Sequence, residues 1–311
     1  MGDSSFIKLM KMISPMSEED IFKLIVERFN KLSPPDRKRV TDYYLVFPFW
    51  GKLLPDEDNY EALRRRASVL YNHKEDLEWL HSRLSDELSK NVLCAILSNW
   101  LGFDYEMLSK CTELEKPEYY HTDIFPFHEN SVLVDVGAYT GDSVAHFIVT
   151  YGVTFKRIYC YEIAPDTFST LEENLAGIPN IELRQKAAGA KAATMFIDFG
   201  QEVSSERVSD TGETAIEVIA IDDDIKEPIT FLKMDIEGAE KDALRGCRRH
   251  IREDKPRLAI CTYHGYDDIY EIPRLIEEIQ PGYKFYMRYH GGVLIPTEFS
   301  LLAVWDENSS N

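Results

Sequence analysis

The sequence predicts an α/β protein with a mostly parallel sheet, preceded by an all-α segment. Up to residue 115, apolar residues recur at helical spacing. From Ser131 onward, short β-branched runs alternate with helical stretches, which is typical of strands joined by right-handed crossovers. The first of these runs ends in a glycine-containing turn, the arrangement found at the ligand-binding edge of parallel sheets.

The N-terminal segment is predicted to be helical throughout. Ser17 and Asp20 form a capping-box pattern, and Pro34 with Pro35 ends the helix that follows. The apolar positions of that helix are Ile21, Leu24, Ile25, Phe29 and Leu32. Further helical periodicity covers two stretches, Tyr60 to Leu88 and Asn91 to Leu108.

Strands and helices alternate after residue 130. The predicted strands are Val132–Val136, Arg157–Tyr161, Ile181–Gln185, Ile229–Asp235, Arg257–Thr262, Tyr283–Tyr289 and Leu301–Trp305. The predicted helices are Asp142–Tyr151, Pro165–Ala176, Ala239–Arg252 and Asp268–Ile279. The last two strands lack an intervening helix, so the final strand is expected to run antiparallel. Residues 190–222 interrupt the alternation and are expected to form an extra hairpin or a lid.

Composition excludes several classes of protein. With 54 acidic and 35 basic residues the formal charge is −19, which disfavours nucleic acid and anionic lipid as partners. Apolar runs such as Leu45 to Trp50 fall far short of the roughly 20 residues that span a bilayer. Charged residues interrupt the N-terminus, and Phe6 stands where myristoylation requires Ser or Thr. We therefore expect neither a nucleic-acid nor a membrane partner.

Cysteine usage indicates a reducing compartment. The five cysteines are odd in number and contain no Cys-x-x-Cys pair. They are predicted to be buried thiols of a cytoplasmic protein.

The turn after the first strand is the first candidate binding motif. It reads Val134-Asp-Val-Gly-Ala-Tyr-Thr-Gly-Asp142 and leads into a predicted helix, so its amides face the carboxyl end of the sheet. The next strand ends at Glu162, 21 residues after Gly141, the offset at which an acidic residue grips ribose hydroxyls. Together they predict a site for an adenosine-type cofactor.

The spacing of this motif favours one kind of cofactor. Gly137 and Gly141 form Gly-x-x-x-Gly, not the Gly-x-Gly-x-x-Gly of dinucleotide sites. The bulky Tyr139 between them leaves less room for a pyrophosphate against the backbone. Both features favour S-adenosylmethionine over NAD.

The second motif is Phe231-Leu-Lys-Met-Asp-Ile-Glu-Gly-Ala-Glu240, at a predicted strand-to-helix turn. Acidic residues suit the first turn of a helix, which accounts for Glu240. Capping does not account for Asp235 at the end of a buried strand, where an unpaired carboxylate is costly. Asp235 is therefore a candidate for the site.

Three segments together resemble the FkbM family of S-adenosylmethionine-dependent methyltransferases. They are Val134 to Ala138, Glu162, and Lys233 to Glu240, and the resemblance covers roughly residues 131–305. It implies a class I methyltransferase (Rossmann-like) fold with a seven-stranded sheet and one antiparallel strand. It also implies O-methylation, with a hydroxyl of a sugar, glycan or secondary metabolite as acceptor.

The resemblance also implies the cofactor-binding residues, which are Asp135, Gly137, Ala138, Tyr139, Gly141, Glu162, Ile163 and Asp235. Two of them depart from the family pattern. Many members have Asn where this chain has Tyr139, and many have Pro where Ile163 follows Glu162.

These patterns divide the chain into four parts. They are a helical lobe at 1–115, a linker at 116–130, the cofactor-binding domain at 131–305 and a polar tail at 306–311. All cofactor motifs lie after residue 130, so the lobe is expected to shape the acceptor site. On this view a chain beginning near Lys116 retains cofactor binding and loses acceptor turnover.

His264 and Asp235 are the predicted catalytic residues. An alcohol acceptor needs a base for its proton, and His264 closes the strand expected beside the Asp235 strand. Alternatively, His264 only satisfies a loop hydrogen bond. Another alternative is that Asp235 and Glu237, with Asp222, Asp223 and Asp224, hold a divalent metal. An acidic run is more often a solvated turn, so the prediction includes no metal.

Two other functions are compatible with this fold. One is a nicotinamide-dependent oxidoreductase, which the missing third glycine disfavours. The other is a cofactor-binding or scaffold protein without turnover, with the helical lobe as its interaction surface.

Overall fold

The computed structural model describes residues 2–47, 50–198, 207–209 and 214–306. The N-terminal part of these residues folds into α-helices. They are α1 (Gly2–Ile13), α2 (Glu18–Asn30), α3 (Pro34–Val46), α4 (Glu61–Asn72), α5 (Lys74–Arg83), α6 (Glu87–Gly102) and α7 (Tyr105–Ser109). The predicted helical character of this segment is confirmed.

Local side chains fix where these helices begin. The Ser17 hydroxyl accepts from the Asp20 amide at 3.2 Å, and the Asp20 carboxylate accepts from the Ser17 amide, so the predicted capping box is present. The Ser33 hydroxyl caps α3 by accepting from the Asp36 amide at 3.3 Å, with Pro34 and Pro35 in the first turn. The prolines that end one helix therefore begin the next, because proline fits the first turn without a lost hydrogen bond.

The remaining described residues alternate strands and helices. The strands of the main sheet are β1 (Val132–Val136), β2 (Arg157–Tyr161), β3 (Ile181–Arg184), β8 (Phe231–Met234), β9 (Arg257–Cys261), β10 (Tyr283–Tyr289) and β11 (Phe299–Trp305). The helices are α8 (Asp142–Tyr151), α9 (Pro165–Leu175), α10 (Ile221–Asp224), α11 (Glu240–Arg245), α12 (Arg248–Glu253) and α13 (Asp268–Ile279).

The main sheet has seven strands in the order β10-β11-β9-β8-β1-β2-β3 and is mostly parallel, with one antiparallel pair. In its centre, Asp135 of β1 is in register with Cys160 of β2 and Lys233 of β8. β9 pairs in parallel with β8, so the predicted neighbourhood of these two strands is confirmed. The predicted fold class is confirmed as well.

One predicted helix is wrong. The stretch Ala239–Arg252 is divided into α11 and α12, with Gly246 and Cys247 between them. A Cβ atom at Gly246 would lie 2.0 Å from the carbonyl oxygen of Gly189, and the Gly246 carbonyl accepts from the Asp222 amide at 2.9 Å. The helix is interrupted at Gly246, where the backbone of Gly189 and Asp222 comes into close contact.

The interruption in the alternation forms a second sheet. Its strands are β4 (Ala187–Ala188), β5 (Ala193–Asp198), β6 (Arg207–Ser209) and β7 (Thr214–Ile219), in the order β4-β7-β5-β6. β5 pairs antiparallel with both β6 and β7, so the predicted extra hairpin is confirmed for the described residues. Residues 199–206 and 210–213 of this region lie outside them, as does the predicted tail after residue 306.

The chain divides into two compact units. The first unit comprises Met1–Glu115, Thr262–Pro273 and Phe285–Leu301, and the second comprises Lys116–Cys261, Arg274–Lys284 and Leu302–Asn311. The segment 116–130, interpreted as a linker from its sequence, belongs to the second unit and contributes the buried side chains of Tyr119, Tyr120 and Phe125.

All five cysteines are buried and unbridged, as predicted. Among the described residues, no helix combines the length and the apolar character that a membrane crossing requires.

Candidate functional site

The loop between β1 and α8 forms the first part of the candidate site. Gly137 and Gly141 have positive φ angles of 77° and 89°, and Tyr139 between them has 47°. The Tyr161 carbonyl accepts from the amides of both Gly137 and Ala138 at 3.0 Å. Tyr139 is 52% exposed, so its side chain projects from a loop whose backbone is fixed to the end of β2.

Packing within the second unit accounts for the two glycines. A Cβ atom at Gly137 would lie 1.8 Å from the carbonyl oxygen of Asp235, at the end of β8. At Gly141 it would meet the side chains of Leu171 and Leu175 on α9 at 3.1 Å. The atoms that require glycine at both positions therefore belong to the protein itself.

Glu162 is placed at the carboxyl end of β2 with its carboxylate held by backbone amides. Oε1 accepts from Ile163 at 2.7 Å and from Ala164 at 3.0 Å, and Oε2 accepts from Tyr139 at 3.0 Å. The side chain is 9% exposed. Glu162 thus links the glycine loop to the end of β2, as expected for neighbouring parallel strands.

The Glu162 carboxylate retains room for one more donor. A carboxylate has about four acceptor positions, and backbone amides fill three of them. Burial raises the pKa of Glu162 above its usual range, although the amides of Ala164, Ile163 and Tyr139 lower it. No donor of the described residues fills the fourth position, on Oε2, and this position suits a hydroxyl donor.

Asp135 is completely buried beneath the loop. The Ser143 hydroxyl donates to its Oδ2, and Lys233 Nζ lies 3.0 Å from its Oδ1. Lys233 also donates to the Gly137 carbonyl at 2.5 Å. Burial raises the pKa of Asp135, while the charge of Lys233 acts in the opposite direction. Asp135, predicted to bind the cofactor, therefore fixes the loop from inside.

Lys233 and Tyr119 are members of this site that sequence reasoning missed. The Tyr119 hydroxyl donates to Asp235 Oδ2 at 2.9 Å, and its ring lies 5.1 Å from Lys233 Nζ. Tyr119 and Asp235 are 116 residues apart in the sequence, so no local pattern predicts their contact. A lysine inside a buried strand was the available signal for Lys233, because a buried ammonium requires carboxylate partners.

The other acidic residues of the second motif differ in exposure. Glu240 is buried at the start of α11, and its Oε1 accepts from the Ile236 amide at 2.9 Å, in agreement with the capping interpretation. Glu237 is exposed and has a positive φ of 55°.

Two of the three aspartates of α10 are held by backbone amides, a hydroxyl and an arginine. Asp222 accepts from the amides of Arg249 and His250 at 2.7 and 3.1 Å. Asp224 accepts from the Tyr161 hydroxyl at 2.6 Å and lies 3.1 Å from Arg184. Asp223 is exposed.

His264 is buried in the first unit, three residues after β9 ends, and its ring centroid lies 4.3 Å from that of Tyr263. Ala138 is also buried, and Ile163 is half-buried, both in the second unit. The second unit therefore brings together Asp135, Gly137, Ala138, Tyr139, Gly141, Glu162, Ile163 and Asp235. His264 belongs to the other unit, and its predicted role as a base stays a prediction.

Comparisons with known proteins find similarity to methyltransferases. Residues 135–287 match the methyltransferase FkbM domain. The chain is similar to the crystal structure of methyltransferase FkbM from Methylobacillus flagellatus KT, with 28% identity and a TM-score of 0.64 over 78% of this chain and 62% of that one. It is also 25% identical over 154 residues to methyltransferase 1 of Beauveria bassiana, a match that covers 40% of this chain and 61% of the relative. The chain thus spans less than two thirds of the length of each.

Proposed function

We propose that the chain is a methyltransferase that uses S-adenosylmethionine, because residues 135–287 match the methyltransferase FkbM domain. The observation that carries the cofactor is the Glu162 carboxylate, buried at the carboxyl end of β2 with one acceptor position vacant. A ribose hydroxyl fits that position as a donor. When bound, S-adenosylmethionine supplies a methyl group on a positively charged sulfur, and the sulfur is the leaving group when the methyl group is transferred.

In this proposal some residues of the second unit contact the cofactor, and others position the loop. Glu162 accepts a hydrogen bond from a ribose hydroxyl, and the backbone amide of Tyr139, whose side chain is exposed, donates to the same carboxylate. Asp135 and Lys233 are positioning residues, since Lys233 lies 3.0 Å from Asp135 and donates to the Gly137 carbonyl, which holds the loop from within. A prearranged loop lowers the entropy lost on binding.

We propose a hydroxyl of a sugar, glycan or secondary metabolite as the methyl acceptor, and His264 as the base that takes its proton. The acceptor class rests on the family resemblance of the sequence. The base rests on topology: β9 pairs with β8 in parallel, and His264 and Asp235 follow these two strands at their carboxyl ends. An alcohol loses its proton as the new bond forms, so a base nearby lowers the barrier.

A ligand panel tests the cofactor. Thermal unfolding of the full chain with S-adenosylmethionine, S-adenosylhomocysteine, NAD and ATP should show stabilisation by the first two only. Calorimetric titration of Glu162→Ala with S-adenosylhomocysteine should show roughly 10- to 150-fold weaker binding, because a hydrogen bond to a charged group is lost. Glu172→Ala, at an exposed position of α9, is the matched control and should bind like wild type.

Each alternative predicts a different result in this panel. Stabilisation by NAD alone would favour the oxidoreductase. Binding of S-adenosylmethionine without release of S-adenosylhomocysteine in a broad screen of hydroxylated acceptors would favour the scaffold protein. Wild-type affinity in a folded Glu162→Ala protein would remove Glu162 from the site.

Replacement of the imidazole tests the base. With an acceptor identified by that screen, His264→Ala should lower the rate by about 10²–10⁴-fold and leave S-adenosylhomocysteine affinity nearly unchanged. His264→Asn should be nearly as slow, because an amide donates and accepts hydrogen bonds but takes up no proton at neutral pH. If Asn restores most of the rate, His264 only positions the acceptor. A rate that chelators abolish would then favour a metal at Asp235 and Glu237.

A further inference from the structure

A small cavity in the first unit surrounds a buried arginine. Arg66 of α4 lines it together with Tyr44, Trp50, Trp100, Tyr263 and Tyr266. The volume open to the centre of a water-sized sphere is about 10 Å³, close to what one water needs. The cavity therefore has room for one water molecule or one small ion.

Within the described part of the chain, the charge of Arg66 has no acidic partner. Its side chain is 0% exposed, and no carboxylate of the described residues lies within ion-pair distance. Arg288, which is equally buried in the same unit, has Asp86 at 2.7 Å and Glu113 at 3.3 Å. A buried cation without a counter-charge is strongly unfavourable, so the contrast between the two arginines requires an explanation.

The hydrogen-bond donors of this cluster outnumber its acceptors. Arg66 donates through Nη2 to the Tyr44 hydroxyl at 2.5 Å and through Nε to the Tyr266 hydroxyl at 3.1 Å. The two hydroxyls lie 2.8 Å apart, so one donates to the other and the second hydroxyl proton is left over. Nη1 of Arg66, which carries two further protons, is buried and has no hydrogen-bond partner among the described residues. With the second proton of Nη2, four N–H or O–H protons of this cluster thus lack an acceptor among the described residues.

The neighbouring aromatic side chains do not supply the missing negative charge. Burial raises the pKa of Tyr266 well above its ordinary value, although Arg66 acts to lower it, so this hydroxyl stays neutral. The rings of Phe103, Tyr44 and Tyr266 lie 5.2–5.8 Å from the guanidinium carbon and contribute cation–π attraction. That attraction leaves the Nη1 protons without an acceptor.

We propose that this cavity binds one small monovalent anion of the size of chloride, held by Nη1 of Arg66 and a tyrosine hydroxyl. The anion accepts the unused protons and neutralises the guanidinium. It also ties together α3, α4 and residues 262–273, which contribute Tyr44, Arg66 and Tyr266. This site is independent of the proposed methyl transfer.

Unfolding in different salts tests the anion site. At constant ionic strength, replacing gluconate, which is too large for the cavity, by chloride or bromide should raise the unfolding midpoint of the full chain. In Arg66→Met the half-saturating chloride concentration should rise roughly tenfold or more, because a charged hydrogen bond is lost. Arg64→Met is the matched control, since Arg64 lies on the same helix but is exposed and paired with Glu19.

Crystals of the wild-type chain grown in bromide give a test that needs no variant. We expect an anomalous scattering peak within hydrogen-bonding distance of Arg66 Nη1. A water at this place, or a wild-type midpoint that does not distinguish chloride from gluconate, would overturn the proposal. Equal loss of the chloride response in Arg64→Met would overturn it as well.

Discussion

At the scale of single residues, the buried ammonium of Lys233 on β8 holds the end of β1 in place. Its Nζ contacts Asp135 of β1 and the Gly137 carbonyl just after that strand. Burial alone lowers the pKa of Lys233, but Asp135 and Asp235 raise it above its usual range, so the ammonium stays charged. Tyr119 extends the network to Asp235 at the end of β8. The position of the glycine loop thus depends on a buried charge.

Lys233→Met should destabilise the fold by about 3–5 kcal/mol at neutral pH, because it leaves the Asp135 carboxylate buried without its counter-charge. Burial raises the pKa of Asp135, so the folded variant holds a proton more tightly than the unfolded chain. Its stability should therefore fall as pH rises from the unfolded-state pKa through the folded one, and the defect should be smallest in acid. Urea unfolding at several pH values measures this.

The double variant Lys233→Met with Asp135→Asn is the control for this charge effect. It removes both charges and should recover most of the lost stability. If single and double variants are equally unstable, the loss arises from packing and the charge argument is wrong.

The raised pKa of Glu162 should make the binding of S-adenosylhomocysteine depend on pH. Burial raises its pKa despite three amide donors, so its contribution to folding stability declines as pH rises through the window above the usual glutamate value. A hydroxyl donor on Oε2 favours the ionised form. S-adenosylhomocysteine binding should therefore release protons within this window and strengthen as pH rises across it. Titration calorimetry in two buffers of different ionisation enthalpy measures the release, which should vanish in Glu162→Gln.

At the scale of elements, the break between α11 and α12 depends on one glycine. Gly246→Ala places a methyl group 2.0 Å from the Gly189 carbonyl and should cost about 1–3 kcal/mol through overpacking. Gly102→Ala is the control, because a Cβ atom there meets nothing within 4 Å on the last turn of α6. That change should be neutral or stabilise by about 0.4–1 kcal/mol. Urea unfolding of both variants decides, and equal effects would contradict the packing argument.

Elements with a regular local pattern can be predicted from the sequence, whereas breaks caused by distant contacts cannot. The bounds of β1, β2, α8 and α13 are as predicted, because each has a regular apolar period and turn residues at its ends. The end of α11 depends on Gly189, which is distant in sequence and leaves no trace in the local pattern. In the site, spacing placed Glu162 at the end of β2, whereas Tyr119 reaches Asp235 only through the folded chain. Local periodicity carries no information about such contacts.

At the scale of the whole molecule, the first unit is assembled from distant parts of the chain. The Ser85 amide donates to the Phe285 carbonyl at 2.8 Å, and the Glu113 amide donates to the Tyr289 carbonyl at 2.9 Å. Trp50 Nε1 donates to the Tyr263 carbonyl at 2.7 Å. The helical segment and residues 262–273 and 285–301 therefore complete one hydrogen-bonded unit.

A chain that begins at Lys116 should for this reason fail to fold, contrary to the expectation from sequence that it retains cofactor binding. It would leave Arg288 buried without Asp86 and Glu113, and breaking a buried pair costs about 3–5 kcal/mol in a protein whose total stability is about 5–15 kcal/mol. Thermal unfolding and S-adenosylhomocysteine titration should detect neither a cooperative transition nor binding. Co-expression of residues 1–115 as a separate chain should restore both, because the same contacts then form between two chains. A shortened chain that unfolds cooperatively and binds with full affinity on its own would show that residues 262–273 and 285–301 hold their places without the helical segment.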